Sequence, residues 1–114
     1  MNNQGKHAEF LARIYLRLKG YRIIDYNYIT GRGTHAGEID IIALRGRTLI
    51  FAEVKKRSTI DNAAYALLAK QRQRIKRAAE AYLKRHPKYS NHNIRFDVIL
   101  IKLPLTIKHI PNAF

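Results

Sequence analysis

Cysteine is absent from the 114 residues. Disulfides and thiolate metal sites are therefore excluded, and a reducing compartment fits. Acidic residues are scarce, with 8 Asp and Glu against 22 Lys and Arg and a net charge of +14. Long apolar runs are also missing. Stretches such as Val98-Ile99-Leu100-Ile101 are far too short to span a bilayer. Met1-Asn2-Asn3-Gln4-Gly5-Lys6 lacks the basic-then-apolar order of a signal peptide. The expectation is a soluble, cytoplasmic protein with no membrane partner. There is no linker, repeat or low-complexity segment. His7, His35, His86, His92 and His109 show no zinc-ligand spacing and read as surface or loop residues. No Gly-rich phosphate loop or Ser-His-Asp arrangement is evident.

What is present points one way. The length suggests one domain, spanning 1–114, and a hydrophobic content of 46% can build its core. A cationic excess this large repels itself in the folded state. Phosphate backbones are its usual partner, because each neutralised phosphate releases counterions.

Gly5 to Lys19 reads as a helix, with Ala8, Leu11, Ala12, Tyr15 and Leu18 at helical spacing and Gly20 as its stop. Tyr21 to Ile29 reads as a strand. Thr30 to Gly37 is loop-like by its glycines. Ile39 to Leu44 and Thr48 to Val54 carry apolar residues on both faces, as strands covered on each side do. Arg45-Gly46-Arg47 is a hairpin turn between them. Asp61 or Asn62 can cap a second helix ending near His86-Pro87, with Ala64, Leu68, Ile75, Ala78, Ala79 and Tyr82 as its apolar stripe. Ile94 to Leu103 is a further strand, and Leu105 to Ile110 a short edge strand. The order α-β-β-β-α-β predicts an α/β fold. Three strands meander antiparallel, and the second helix crosses over to deliver the fourth in parallel. Helices then cover both faces of a mixed sheet.

The chemistry sits in Gly37-Glu38-Ile39-Asp40 and Phe51-Ala52-Glu53-Val54-Lys55. Side chains alternate along a strand, so Glu53 and Lys55 point the same way. The hairpin brings Asp40 beside them. Two convergent carboxylates and the Val54 carbonyl suit Mg²⁺, which takes oxygen ligands and keeps several waters. Lys55 can then orient or deprotonate an attacking water, or offset charge growing on a phosphate. The plain alternative is a cross-strand ion pair among Asp40, Glu53 and Lys55.

These residues resemble the PD-(D/E)xK nuclease signature. More closely, the chain resembles the bacterial YraN-like family of small uncharacterised proteins, which is similar to archaeal Holliday junction resolvases. Gly37-Glu38-Ile39-Asp40, Phe51-Ala52-Glu53-Val54-Lys55-Lys56-Arg57, Arg95-Phe96-Asp97 and the closing Ile110-Pro111-Asn112-Ala113-Phe114 carry the likeness, which runs from about Gly5 to the C-terminus. No proline precedes Asp40, and the loop before Gly37 carries extra small residues and His35. The resemblance implies a restriction-endonuclease-like core, with Asp40 and Glu53 as ligands of Mg²⁺ (or Mn²⁺) and Lys55 as catalytic lysine. It implies a further metal ligand at Glu9, which otherwise reads as a partner of Arg13 or of the helix dipole. A symmetric dimer follows by analogy with junction resolvases.

Glu38 is open between a supporting group at the site, an additional ligand and an ion-pair partner of an arginine. Gln71 interrupts its helix's apolar stripe. It either bonds a metal-bound water or substrate, or is a satisfied core glutamine. Asp97 is expected to pair with a neighbouring base. Lys56, Arg57, Lys70, Arg72, Arg74, Lys76 and Arg77 are the phosphate-contact candidates. The function expected is Mg²⁺-dependent hydrolysis of DNA, with branched or repair intermediates as the substrate that the resemblance suggests. The rivals are an inactive nucleic-acid-binding module and an RNA- or assembly-associated factor.

Overall fold

The computed structural model describes residues 3–30, 37–56, 69–102 and 104–114. Helix α1 (Asn3–Leu18) leads into strands β1 (Arg22–Thr30), β2 (Gly37–Arg45) and β3 (Thr48–Lys56). Helix α2 (Ala69–Arg85), a 3-10 turn (Pro87–Tyr89), β4 (Asn93–Lys102) and β5 (Thr106–Ile110) follow. The strands form one sheet in the order β1-β2-β3-β4-β5, antiparallel throughout except that β3 and β4 run parallel. The α/β class, the meander, the parallel crossover and the edge strand are all as the sequence predicts. The loop 31–36 with His35, together with Arg57, the expected caps Asp61 and Asn62, and Ala64 and Leu68, lies outside the described residues.

Two buried layers sandwich the sheet. Ala8, Ala12 and Leu16 of α1 pack on Ile41, Ala43, Ile50, Ala52, Ile99 and Ile101. On the other layer, Ile75, Ala78, Ala79 and Tyr82 of α2 pack on Ile42, Leu49, Phe51 and Leu100. Full burial of each large aliphatic or aromatic side chain stabilises by about 1.5–3 kcal/mol, so the central strands anchor the fold. Leu18 departs from the predicted stripe: it is 83% exposed, whereas Leu16 is fully buried. Leu18 is the last helical residue, and the chain turns away there before the sheet can cover it.

That turn is built by Gly20, at φ 91°. The Tyr21 amide donates to the Leu16 carbonyl at 2.9 Å and the Gly20 amide to the Arg17 carbonyl at 3.0 Å. This is the Schellman pattern, in which a left-handed residue satisfies the last helical carbonyls. Tyr21 is buried with Leu16 as the accompanying apolar contact. Gly46, at φ 60°, opens the two-residue turn that sets Arg45 opposite Thr48.

Asp97 is the fully buried charged residue of β4. Arg95 donates to both of its carboxylate oxygens, at 2.9 and 2.8 Å. His109 of β5 meets Oδ2 at 2.7 Å, and the Asn112 amide donates to Oδ1 at 3.0 Å. The expected pairing with a base is present, and it ties the chain's last turn to the sheet. His7 is exposed and His86 and His92 lie in connecting segments, as the surface-or-loop reading expects, whereas His109 departs from it by lying within β5. His109 is half-buried on Asp97, and His86 stacks on Tyr82 with ring centroids 3.9 Å apart. His92 is half-buried against Tyr89. Imidazole combines an apolar ring with polar edges, so packing used what ligand spacing did not reveal.

Burial alone would raise the Asp97 pKa. The bonds from His109, Arg95 and the Asn112 amide overcome it and hold the carboxyl at about 2. Its stabilising contribution is therefore complete above about pH 4 and lost as pH falls towards 2. Asp97→Ala leaves Arg95 and His109 without their partner and should cost about 3–5 kcal/mol in urea unfolding at pH 7. The wild-type advantage should shrink in the acid range. A loss below about 1 kcal/mol would contradict this account of the C-terminal anchor.

Candidate active site

Strands β2 and β3 are paired from their turn, Arg45 opposite Thr48, only as far as Ile41 opposite Ala52. Both continue beyond that point, β2 back to Gly37 and β3 on to Lys56. The sheet therefore forks at the next rung, where the register would set Asp40 opposite Glu53. There Asp40 Oδ2 accepts the Val54 amide hydrogen at 2.8 Å. A carboxylate oxygen has taken the place of a ladder carbonyl. Strict alternation also breaks at this residue: Ile39 is buried in the α2 layer, whereas Ile41 is buried in the α1 layer. The side-chain bond and the break in alternation together hold the strands apart while keeping their carboxylates close.

Burial raises the Asp40 pKa first. A hydrogen bond shared with Glu53 and the charge of Glu53 raise it further. The Val54 amide and the Lys55 ammonium oppose them, and the group titrates at about 8. Asp40 thus resists ionising beside Glu53. Lys55 Nζ stands 3.3 Å from Glu53 Oε2, both side chains mostly buried. The structure brings Asp40, Glu53 and Lys55 together, as the hairpin reading requires.

Glu9 joins from α1. Its pKa is raised by burial, then by the charges of Asp40 and Glu38, while Arg13 and a hydrogen bond from Asn27 lower it. Glu38 is raised by burial and by Asp40. Four carboxylates thus lie in electrostatic reach of one fork. Asn27 was not singled out in the sequence. It sits on β1 between Tyr26 and Tyr28, which pair with Ile41 and Ile39, and takes φ 51°. Asparagine tolerates that left-handed conformation better than most residues, and its amide steadies Glu9 at the fork. An Asn inside an aromatic strand was the available signal. Beside it, exposed Phe10 and Tyr26 flank the Arg13 guanidinium, whose carbon lies 5.9 and 4.3 Å from their ring centroids.

Among the described residues, no three His, Asp or Glu side chains already stand together as a metal cage. The donor set nevertheless fits a hard cation of the Mg²⁺ kind, which keeps several waters and needs only one or two carboxylates. The raised pKa of Asp40 marks where positive charge is wanted. On an extended strand the N–H and C=O of one residue point to the same side. Because the Val54 N–H meets Asp40, its carbonyl opens into the fork too.

The basic candidates divide. Arg72, Lys76 and Arg77 are exposed on α2, and Arg74 and Lys56 are half-buried. Lys76 lies over Phe96, 5.8 Å from the ring centroid. Gln71 is half-buried in the first described turn of α2, and both it and Lys56 are engaged with neighbours. Arg57 and the Lys70 side chain lie outside the described residues.

The raised Asp40 pKa has a stability consequence. The folded chain keeps a proton that the unfolded chain releases at its ordinary value of 3.8. The contribution is complete below about pH 4 and lost as pH rises through about 8. Asp40→Asn keeps the neutral state at every pH. In thermal unfolding without divalent ions, the variant should gain on the wild type steadily from pH 4 to pH 8. A constant difference across that range would show that the two acids share no proton.

The model of the uncharacterised protein family UPF0102 matches residues 8–101, which include Glu9, Glu38, Asp40, Glu53 and Lys55. A UPF0102 protein of Paramagnetospirillum magneticum is 47% identical over 111 residues, covering 97% of this chain and 86% of its own length. One from Rhodopseudomonas palustris is 44% identical over 110 residues, covering 96% and 82%. One from Methylorubrum extorquens is 42% identical over 113 residues, covering 99% and 85%. With the motif, the fork and these relatives in agreement, the chain belongs to the UPF0102 family, which corresponds to the YraN-like family of the PD-(D/E)xK superfamily.

Proposed function

We propose that this protein is a Mg²⁺-dependent nuclease that hydrolyses phosphodiester bonds in DNA, with branched or repair intermediates as the substrate class suggested by family analogy. The observation that carries the reading is the convergence of Asp40, held by the Val54 amide, and Glu53 where β2 and β3 part, with Lys55 against Glu53. A structural ion pair has no reason to crowd two acids until one must hold a proton; a cation site does.

Bound Mg²⁺ would supply charge neutralisation at the phosphorus and a water of lowered pKa. Asp40, Glu53 and the Val54 carbonyl would hold it, with Glu9 as a further ligand and Glu38 beside it. The Val54 amide fixes the Asp40 carboxylate at the fork and occupies one of its two oxygens. Glu53 would turn its charge to the ion from the facing strand. Lys55 would position or deprotonate the attacking water, or stabilise charge on the phosphate oxygens. Phe10 and Tyr26 offer rings for unpaired bases beside the fork. Arg72, Lys76 and Arg77 would meet the phosphate backbone.

The net charge of +14 serves a second reading equally well, that of a nucleic-acid-binding module without chemistry. Cleavage assays separate the two. Single-stranded, duplex, flap and four-way DNA are incubated with Mg²⁺ or Mn²⁺. At least one should be cut, and Asp40→Ala, Glu53→Ala or Lys55→Ala should each reduce the rate by about a hundredfold or more. Calorimetric Mn²⁺ titration should show tighter binding as pH rises towards 8, with proton release that Asp40→Asn abolishes. Intact substrates of every shape, with no metal heat, would leave the binding module as the function.

A further inference from the structure

At the other end of α1 lies a separate open cavity of about 250 Å³, lined among others by Tyr15, Lys19, Tyr21, Arg45, Arg95 and His109. Asp40 and Arg45 are five residues apart on β2, so about 17 Å separates this cavity from the fork.

The lining is built to donate. Lys19, Arg45 and Arg95 contribute three positive charges, against the single buried carboxylate of Asp97 beneath them. Among the described residues, neither Lys19 nor Arg45 forms an ion pair. Arg45 gives one hydrogen bond to the Lys19 carbonyl at 3.0 Å and rests over the Tyr21 ring at 4.5 Å. A guanidinium has five N–H donors, so its others remain for a ligand. Arg95 uses three in its bonds to Asp97 and to the Tyr21 hydroxyl at 2.7 Å, which leaves two. Because the Tyr21 hydroxyl accepts from Arg95, its own hydrogen is available to donate. Asp97 fixes Arg95 and His109, and His109 in turn meets the Tyr15 hydroxyl at 3.1 Å. A deeply anchored acid thus fixes one wall, while two cations without acid partners form the rim.

Such a set of forked guanidinium, ammonium and hydroxyl donors suits a tetrahedral oxyanion carrying more than one charge. The cavity volume corresponds to about eight waters, room for a phosphate with a sugar attached. We propose that this cavity is a phosphate-binding site, filled either by the terminal phosphate of a nucleic-acid strand or by a free phosphate compound. The site does not depend on the nuclease reading, because nothing in it uses the fork or a metal.

The test is run with a chelator present, so cleavage cannot affect it. Inorganic phosphate is titrated into the labelled protein and followed by NMR. Resonances of Tyr15, Tyr21, Arg95 and His109 should shift together. The doubly substituted Lys19→Gln, Arg45→Gln protein should bind phosphate about tenfold or more weakly. The equally discharged Lys84→Gln, Lys102→Gln protein should stay within about twofold, as expected for exposed charges remote from the cavity. Tyr21→Phe keeps the buried ring and should weaken binding about fivefold by removing one donor. A 5′-phosphorylated oligonucleotide compared with its 5′-hydroxyl twin identifies the source. A gain from the 5′-phosphate that the Lys19, Arg45 variant loses assigns a strand end. Phosphate binding without that gain assigns a free phosphate compound. Absence of cavity shifts with both phosphate and the phosphorylated strand, or equal weakening by the two double variants, overturns the proposal.

Discussion

The hydrogen bond from the Val54 amide to Asp40 is the constraint around which the candidate site is arranged. Backbone amides in a central strand must be satisfied, and a ladder carbonyl normally does it. Here a side chain does it instead. That exchange lets β2 leave β3 without orphaning an amide, and it fixes the carboxylate at the point of separation. Glu53 and Lys55 then stand at the fork because they follow the last paired residue, Ala52, at odd spacing. Glu9 arrives because α1 packs its Ala8-Ala12-Leu16 stripe on the same strands. The site is thus a consequence of how the sheet ends.

Much of this was legible in the residues. Apolar periodicity located both helices, and two-sided apolar runs marked the central strands. The two-residue spacing of Glu53 and Lys55, with a tight turn before them, was enough to set them near Asp40. The fork itself was not legible. Alternation read straight along β2 puts Ile39 and Ile41 on one face, and only tertiary packing sends them to opposite layers. Leu18 failed for a related reason: periodicity specifies a face of a helix but not where the sheet beneath it stops. Asn27 and His109 act through partners 18 and 12 residues away, and no local pattern reports such distances.

The net charge of +14 also looks different once placed. Composition treats every lysine and arginine alike, yet the structure sorts them by what they face. Arg95 is held by Asp97, Lys76 lies over Phe96, and Arg13 stands between two exposed rings. Arg45 and Lys19 keep donors facing a cavity. A basic surface of this kind attracts polyanions generally. Which phosphate is held, and where, depends on the cations that are fixed in place, because only they lose little freedom when a ligand arrives.

Asp40 and Asp97 show how two desolvated acids are treated in opposite ways by their surroundings. Both sit in central strands and both are desolvated, which by itself raises a carboxyl pKa. Asp97 receives donors from Arg95, His109 and the Asn112 amide, and the bonds drive its pKa down to about 2. Every lone pair there is spent, so the group holds the fold and has nothing left to bind. Asp40 receives one amide and faces Glu53, and its pKa rises to about 8. The surrounding structure leaves it short of positive charge, although cations are plentiful elsewhere in the chain. Evolution of a stable core would be served by replacing such a pair with apolar residues. Retaining two acids so close together fits the proposal that a divalent cation from outside the chain supplies the charge that the fold withholds.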